Sequence, residues 1–337
     1  MDHRHNLPDF IAALLRPQSY PHPATELRLV QTHISFVIIA GDFVYKFKKP
    51  VDFGFLDFST LERRKCCCEQ ELLLNRRLCP EIYLDMVRVT QANSGFALNG
   101  SGKVVEYGVK MARMPEEGMM INLIKAGKLG REQIDAIVDR LSPFYQQAER
   151  SAEIDAFGAA TAVAVNILEN FSQTEGMIGQ GALSQAQFAR ISAWSKEFLA
   201  QKERFKQRIA GGYIRDCHGD LYSANICLAD KVYIYDCIEF NQRFRYCDVA
   251  SDVAFLAMDL DFHGLYALSA YFIDRFCQCS GDSGLREMLN FYKCYRAYVR
   301  GKIGLFTAGD PAVDEAVRKS CIEAAAKYFA LAASYAV

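Results

Sequence analysis

Apolar positions change their period along this chain, and each change marks a different kind of element. In the segments HISFVIIAG and FVYKFKK the β-branched and aromatic residues crowd together, and Gly41-Asp42 between them is a turn signal, so a β-hairpin ending on lysines is expected. Across residues 60–78 the apolar positions recur at helical spacing among charges, and Cys79-Pro80 closes the run. A single long helix should therefore follow the hairpin. Strand patterns return at residues 83–90, 95–98 and 104–111, with Asn93, Gly100 and Gly102 as turn residues. Ahead of all this, residues 8–15 have a short helical pattern. Pro17, Pro21 and Pro23 then force extended or turned backbone until the main fold starts near Leu27.

Beyond Met114-Pro115 the period becomes helical, with long amphipathic helices expected at residues 131–149, 161–171, 184–209, 285–300 and 311–333. A motif-dense stretch, residues 211–252, interrupts them and holds short strand signals at 226–228 and 232–235. The fold class is α+β: a β-rich first third with one helix, then a mainly helical remainder, dividing near residues 111–115. No internal repeat or low-complexity linker breaks either part.

Composition narrows the function. Of 337 residues 51% are apolar and 23% charged, enough to bury sizeable cores. A formal net charge of −1 argues against a general nucleic-acid binder, which needs clustered, uncompensated Lys and Arg. Small-molecule or protein partners are favoured. The 12 cysteines follow no disulfide framework, and neither the Cys66 to Cys68 run nor Cys277-x-Cys279 has zinc-ligand spacing, so a reducing cytoplasmic setting is expected. The start of the sequence, MDHRHNLPDF, lacks the features of a secretory signal. The richest apolar stretch, residues 253–272, carries Asp259, Asp261 and His263, too polar for a bilayer core of about 30 Å. That acidic pair reads as a solvated helix end. Gly176, Gly179 and Gly181 follow no strand and precede no ribose-binding acid, which dismisses a dinucleotide fingerprint.

The chemistry concentrates in His218-Gly219-Asp220-Leu221-Tyr222-Ser223-Ala224-Asn225, followed by a short strand and Tyr235-Asp236. Phosphoryl transfer needs a carboxylate to orient the attacking hydroxyl, and oxygen ligands for the metal ions that neutralise a triphosphate. Asp220, Asn225 and Asp236 are of those types, and the Asp-to-Asn spacing of five matches the kinase catalytic-loop pattern.

HGDLYSANI followed by YIYDCIEF resembles the HGDxxxxN and metal-binding Asp motifs of aminoglycoside and choline phosphotransferases. VYKFKKPVDFGFLDFSTLERR, ELLLNRRL and RYCDVASDVAFLAMDL further resemble an uncharacterised bacterial subfamily of the aminoglycoside-phosphotransferase-like kind, and the likeness runs roughly from Thr32 to Asp261. Some members of that subfamily carry an additional P-loop kinase domain, whereas GxxxxGK[ST] is absent here and this chain is expected to act without one. The resemblance implies a bilobal protein-kinase-like fold, with residues 1–112 as the nucleotide-binding lobe and its helical extension, and residues 113–337 as the catalytic and substrate lobe.

It also implies roles. Asp220 is the catalytic base, and Asn225 and Asp236 are ligands of Mg²⁺. Lys46 contacts the phosphates of ATP and pairs with a helix carboxylate, best matched to Glu71, with Glu69 as the alternative. Met111 and Arg113, in the segment between the lobes, face the nucleotide base. His218 and Asp252 brace the catalytic loop, with Asp248 a second candidate. Lys48 and Lys49 compete with Lys46 for its role, and Glu239, three residues after Asp236, is left open between assisting the metal or a substrate amine and the commoner part of facing water or pairing with Arg243 or Arg245. One departure is that THISFVIIAGDF lacks the G-x-G-x-x-G that covers phosphates in protein kinases. The expected reaction is ATP/Mg²⁺-dependent phosphorylation of a small-molecule hydroxyl. A protein Ser/Thr kinase is the first alternative, although nothing resembles its A-P-E segment, and a non-catalytic nucleotide-binding regulator is the second.

Overall fold

A computed structural model describes residues 7–93, 95–311 and 313–337. They divide into two compact units. The first takes the chain as far as Gly118 and again from Tyr233 to Asn241, and the second comprises Met119–Val232 and Gln242–Val337.

The first unit is built on one antiparallel sheet. Its strands are β1 (Leu27–Gln31), β2 (Ser35–Ala40), β3 (Phe43–Lys48), β4 (Tyr83–Ala92), β5 (Gly95–Leu98) and β6 (Lys103–Ala112), in the order β1-β2-β3-β6-β4-β5. The hairpin expected around Gly41-Asp42 is β2–β3, and Gly41 there has φ +59°, a conformation glycine adopts without cost. Strand β1 was not anticipated: LRLVQ is short and mostly exposed, so it carries almost no core signal of its own.

Period 2 gives β3 two unlike faces. Tyr45 and Phe47 point into an apolar cluster with Ile38, Phe36, Val87 and Val89. Helix α1 (Asp9–Leu14) adds Ile11 and Leu14 to that cluster, and Phe10 meets the edge of Phe47 at 5.7 Å between centroids. Gly108 on β6 lies under Phe47, where a Cβ would stand 2.5 Å from the ring, so only glycine fits. Lys46 and Lys48 take the opposite face. Helix α2 (Leu61–Asn75) begins at the Thr60 cap, whose hydroxyl accepts from the Arg63 N–H, and buries Arg64, Cys68, Glu71, Leu72, Leu74 and Asn75. Arg64 Nε donates to both Glu106 carboxylate oxygens at 2.9 Å, tying α2 to β6.

The second unit is mainly helical. Its helices are α3 (Met120–Lys125), α4 (Arg131–Gln147), α5 (Ala152–Ala156), α6 (Ala160–Thr174), α7 (Gln185–Ala200), α8 (Lys202–Ala210), α9 (Gln242–Arg245), α10 (Val249–Phe262), α11 (Tyr266–Ser280), α12 (Leu285–Gly309) and α13 (Glu315–Tyr335). Short strands β7 (Ile214–Asp216) and β10 (Tyr246–Asp248) pair antiparallel, β8 (Ile226–Leu228) follows the HGD motif, and β9 (Val232–Ile234) leads into the stretch that belongs to the first unit.

Two differences from the sequence reading stand out. The single helix expected over residues 184–209 is two, broken at Gln201, whose ψ of +58° is not helical. The apolar stretch after Val249 is α10, buried all round from Val249 to Asp261, as a helix at the centre of a bundle must be. Its acidic end is not solvated. Asp259 and Asp261 are 2% and 6% exposed, Asp259 accepts from the Ser223 N–H, and Asp261 pairs with Lys293 at 2.8 Å and Tyr335 at 2.5 Å. Among the described residues no helix is long and apolar enough to cross a membrane.

Candidate active site

The HGD motif lies in a loop that α10 and α12 clamp. Gly219 has φ +88°, a region an L side chain avoids, which is the physical reason for glycine in the motif. Asp252, fully buried in the first turn of α10, accepts from the His218 N–H at 2.7 Å and the Gly219 N–H at 2.9 Å. From the other side Arg296 of α12 donates to the Gly219 carbonyl at 2.9 Å and lies 3.7 Å from Asp252. Asp252 therefore braces the loop, and His218 contributes by accepting the Asp220 N–H at Nδ1, 3.3 Å. Asp248 is engaged elsewhere, holding the buried Arg208 together with Asp282 through bonds of 2.5–2.8 Å.

Within this clamp Asn225 Nδ2 donates to the Asp220 carboxylate at 2.9 Å and to its backbone carbonyl at 3.0 Å. The bond fixes the carboxylate's orientation and leaves the Asn225 amide oxygen as the atom of that side chain suited to a hard cation. Tyr222, between them in sequence, stacks on Phe255 and has the Arg300 guanidinium 4.6 Å from its ring centre.

In the first unit β3, α2 and the segment after β9 bring together residues far apart in sequence. Lys46 Nζ lies 2.8 Å from Glu71 Oε1 and 2.6 Å from Asp236 Oδ1. Glu69 instead faces solvent and pairs with Lys65 at 3.6 Å. Lys49 points away, its ammonium 4.8 Å from the Phe36 ring. Burial pulls the Lys46 ammonium toward deprotonation, but Asp236 and Glu71 outweigh it and hold its pKa well above the ordinary lysine value. Lys46 is charged at any physiological pH. Burial likewise pushes Glu71 up, yet two ammonium groups bring it down to about 2. The Asp236 side chain is 44% exposed while its backbone has φ +63°, a left-handed conformation that costs a non-glycine residue about 1 kcal/mol or more.

Met111 is buried on β6 opposite Val44 and Tyr83. Arg113 donates its N–H to the Asp42 carbonyl at 2.8 Å, and its guanidinium lies 3.5 Å from Glu116 and 3.9 Å from Glu26.

Sequence reasoning missed how Lys48 and Glu239 are used. Lys48 is 1% exposed and bonds Glu71 Oε2 at 2.8 Å as well as Glu239 Oε1. Glu239 therefore faces neither water nor the arginines after it: Arg243 pairs with Glu169 and Arg245 with Asp216. The signal available was the shared parity of positions 46 and 48 on one strand.

Taken unit by unit, the donor types are those that hard cations and phosphates select: in the first unit the half-exposed Asp236 carboxylate beside the Lys46 ammonium, in the second the Asn225 amide oxygen. No protein-family model matches the chain. Over 305 residues it is 35% identical to uncharacterized proteins of Mycobacterium tuberculosis and Mycobacterium bovis, an alignment that covers 88% of this chain and 59% of theirs. The chain thus spans about three-fifths of the length of these curated relatives. A choline/ethanolamine kinase family protein from Mesorhizobium loti superposes with a TM-score of 0.52 over 97% of both chains at 12% identity. The chain has the bilobal protein-kinase-like fold of that protein. An aminoglycoside phosphotransferase from Streptomyces rimosus, solved with ADP and streptomycin, covers 85% of this chain and 97% of its own, with a TM-score of 0.47 and 15% identity. In that fold the sheet unit and the helical unit described above are the β-rich and helical lobes.

Proposed function

We propose that this protein is a phosphotransferase that moves a phosphoryl group from ATP, with Mg²⁺, to a hydroxyl of a small molecule. The observation that carries the reading is Lys46, whose ammonium joins Glu71, 25 residues away, to Asp236, 190 residues away. Such a cation between two carboxylates is a poor device for stability alone, because desolvating Lys46 and Glu71 offsets most of their attraction and Asp236 stays half exposed. It suits a group that must stay charged and change partners.

Bound ATP and Mg²⁺ supply the phosphoryl group and the neutralising charge. Asp220, oriented by Asn225, positions the acceptor hydroxyl and takes its proton. Lys46 would bind phosphate oxygens, and Asp236 of the first unit and Asn225 of the second are the residues that would hold Mg²⁺. With little covalent work for the protein, positioning and electrostatics carry the rate.

Calorimetric titration of ATP with and without Mg²⁺, on wild type and Asp236→Ala, tests this. Mg²⁺-dependent binding that Asp236→Ala abolishes is expected. Asp220→Asn should still bind the nucleotide yet lose turnover with any acceptor found. No binding to folded wild type in either condition refutes the proposal.

A further inference from the structure

Lys48 is a buried charge that the reaction above does not use. It shares a face of β3 with Lys46, two residues away, but at 1% exposure it cannot reach a ligand, whereas the Lys46 side chain keeps 14% of its surface. The two oxygens of Glu71 are divided between the lysines, Oε1 to Lys46 and Oε2 to Lys48. Lys48 Nζ also bonds Glu239, whose side chain is 5% exposed, and sits 5.0 Å from the centre of the Phe58 ring.

Glu239 lies three residues beyond Asp236, the residue at φ +63°. The segment between and around them is pinned repeatedly by the sheet unit. The Asp236 N–H donates to the Tyr83 hydroxyl at 3.2 Å, the Cys237 N–H to Asn75 Oδ1 at 2.8 Å, and Asn241 Nδ2 to the Phe55 carbonyl at 2.9 Å. Lys48–Glu239 is a charged tie beside Lys46–Asp236, and unlike that pair it is buried on both sides; the same lysine holds Glu71 on α2.

We propose that Lys48 is a positioning residue: by gripping Glu71 and Glu239 at once it keeps Asp236 in its left-handed turn with its carboxylate presented. It also keeps Glu71 fixed when Lys46 leaves Asp236 for a phosphate. The second half of this statement rests on the function proposed above, and the first does not.

The role differs from plain stabilisation, because a buried charged group can be replaced by an apolar one of similar volume with little loss when its partner is neutralised too. The test compares wild type, Lys48→Met, Lys48→Arg and the charge-balanced double variant Lys48→Met/Glu239→Leu. Melting temperature establishes folding, and hydrogen exchange of residues 233–241 in the ligand-free protein reads the local order. Exchange at the Asp236 and Cys237 amides is expected to rise at least tenfold in Lys48→Met and in the double variant, with β2 to β4 unchanged, and to return toward wild type in Lys48→Arg. Mg²⁺-ATP affinity should fall at least tenfold in the first two, while affinity for ATP in EDTA changes less than threefold.

A double variant that melts like wild type and regains wild-type exchange and Mg²⁺-ATP affinity reduces Lys48 to a structural charge and overturns the proposal. So does unchanged exchange in folded Lys48→Met. If wild type binds no nucleotide but exchange loosens as stated, the proposed function falls while Lys48 keeps its hold on Asp236.

Discussion

Replacing Asp252 by asparagine removes one charge and one acceptor from the centre of the clamp on the HGD loop, and the structure sets the size of the effect. Each carboxylate oxygen of Asp252 takes one backbone N–H, from His218 at 2.7 Å and Gly219 at 2.9 Å, and the Tyr145 hydroxyl adds a bond of 3.2 Å. An asparagine amide keeps one oxygen acceptor and turns an NH₂ toward the other N–H, so one fully buried donor is orphaned. That costs about 1–3 kcal/mol. Arg296 loses the carboxylate 3.7 Å away but retains the Gly219 carbonyl at 2.9 Å and the Ser251 carbonyl at 3.3 Å, which limits the second loss to about 1 kcal/mol. Asp252→Asn should therefore destabilise the helical unit by about 3 kcal/mol. Asp252→Ala, which orphans both donors and leaves a cavity, should cost about 5 kcal/mol. Urea unfolding followed by the fluorescence of Trp194, the sole tryptophan and a member of this unit, isolates the relevant transition. An asparagine variant within about 0.5 kcal/mol of wild type, or one as damaged as alanine, would refute the claim that the two N–H bonds are what Asp252 contributes.

Two further outcomes follow from the sheet unit. Gly108→Ala places a Cβ 2.5 Å from the Phe47 ring, so overpacking should cost about 1–3 kcal/mol, read as a lowered melting temperature, and Phe47→Leu in the same chain should relieve part of it. For Glu71 the pKa falls from 4.5 to about 2 on folding, so its charged form contributes stability above the unfolded value that is lost as pH drops toward 2. The stability gap between wild type and Glu71→Gln should then be at most about 3 kcal/mol near neutrality and close between pH 4.5 and 2; a gap that holds constant on acidification rejects the assignment. Glu239 shifts the opposite way, chiefly through burial and in part through the charge of Glu71 itself, so the comparison is made with Glu239→Gln in both proteins to keep its titration out of the difference.

Much of the site was legible because its residue types follow from local constraints. Gly219 has to be glycine for its φ of +88°, and the five-residue step from Asp220 lets Asn225 reach back to its carboxylate. What was not legible depended on partners distant in sequence. Lys48 at a strand end looks like an exposed base until α2 covers that face and supplies Glu71. Glu239, three residues past a loop aspartate, looks solvated until Lys48 reaches it. Asp259 and Asp261 read as a wet helix end because Lys293 and Tyr335, 32 and 74 residues beyond Asp261, are invisible to a local window. The break at Gln201 lacks the glycine or proline that ordinarily announces one.

A common physical device recurs in each of the two units. Gly219 and Asp236 each sit at positive φ, which glycine adopts freely and which costs Asp236 about 1 kcal/mol or more. Each is flanked by a fully buried acidic or basic side chain that binds two groups at once: Asp252 takes two consecutive N–H groups, and Lys48 takes two carboxylates from different elements. Buried ions are inefficient stabilisers, since desolvation consumes most of their attraction, but they are intolerant of displacement, because a shift of an ångström leaves a charge unpaired in an apolar surrounding. Intolerance of displacement is the property a phosphoryl-transfer site needs, where the protein contributes position rather than bonds. The residues that touch ligand in this reading, Lys46, Asp220 and Asp236, can then remain partly exposed and free to exchange partners, because the rigidity resides one residue or one turn away.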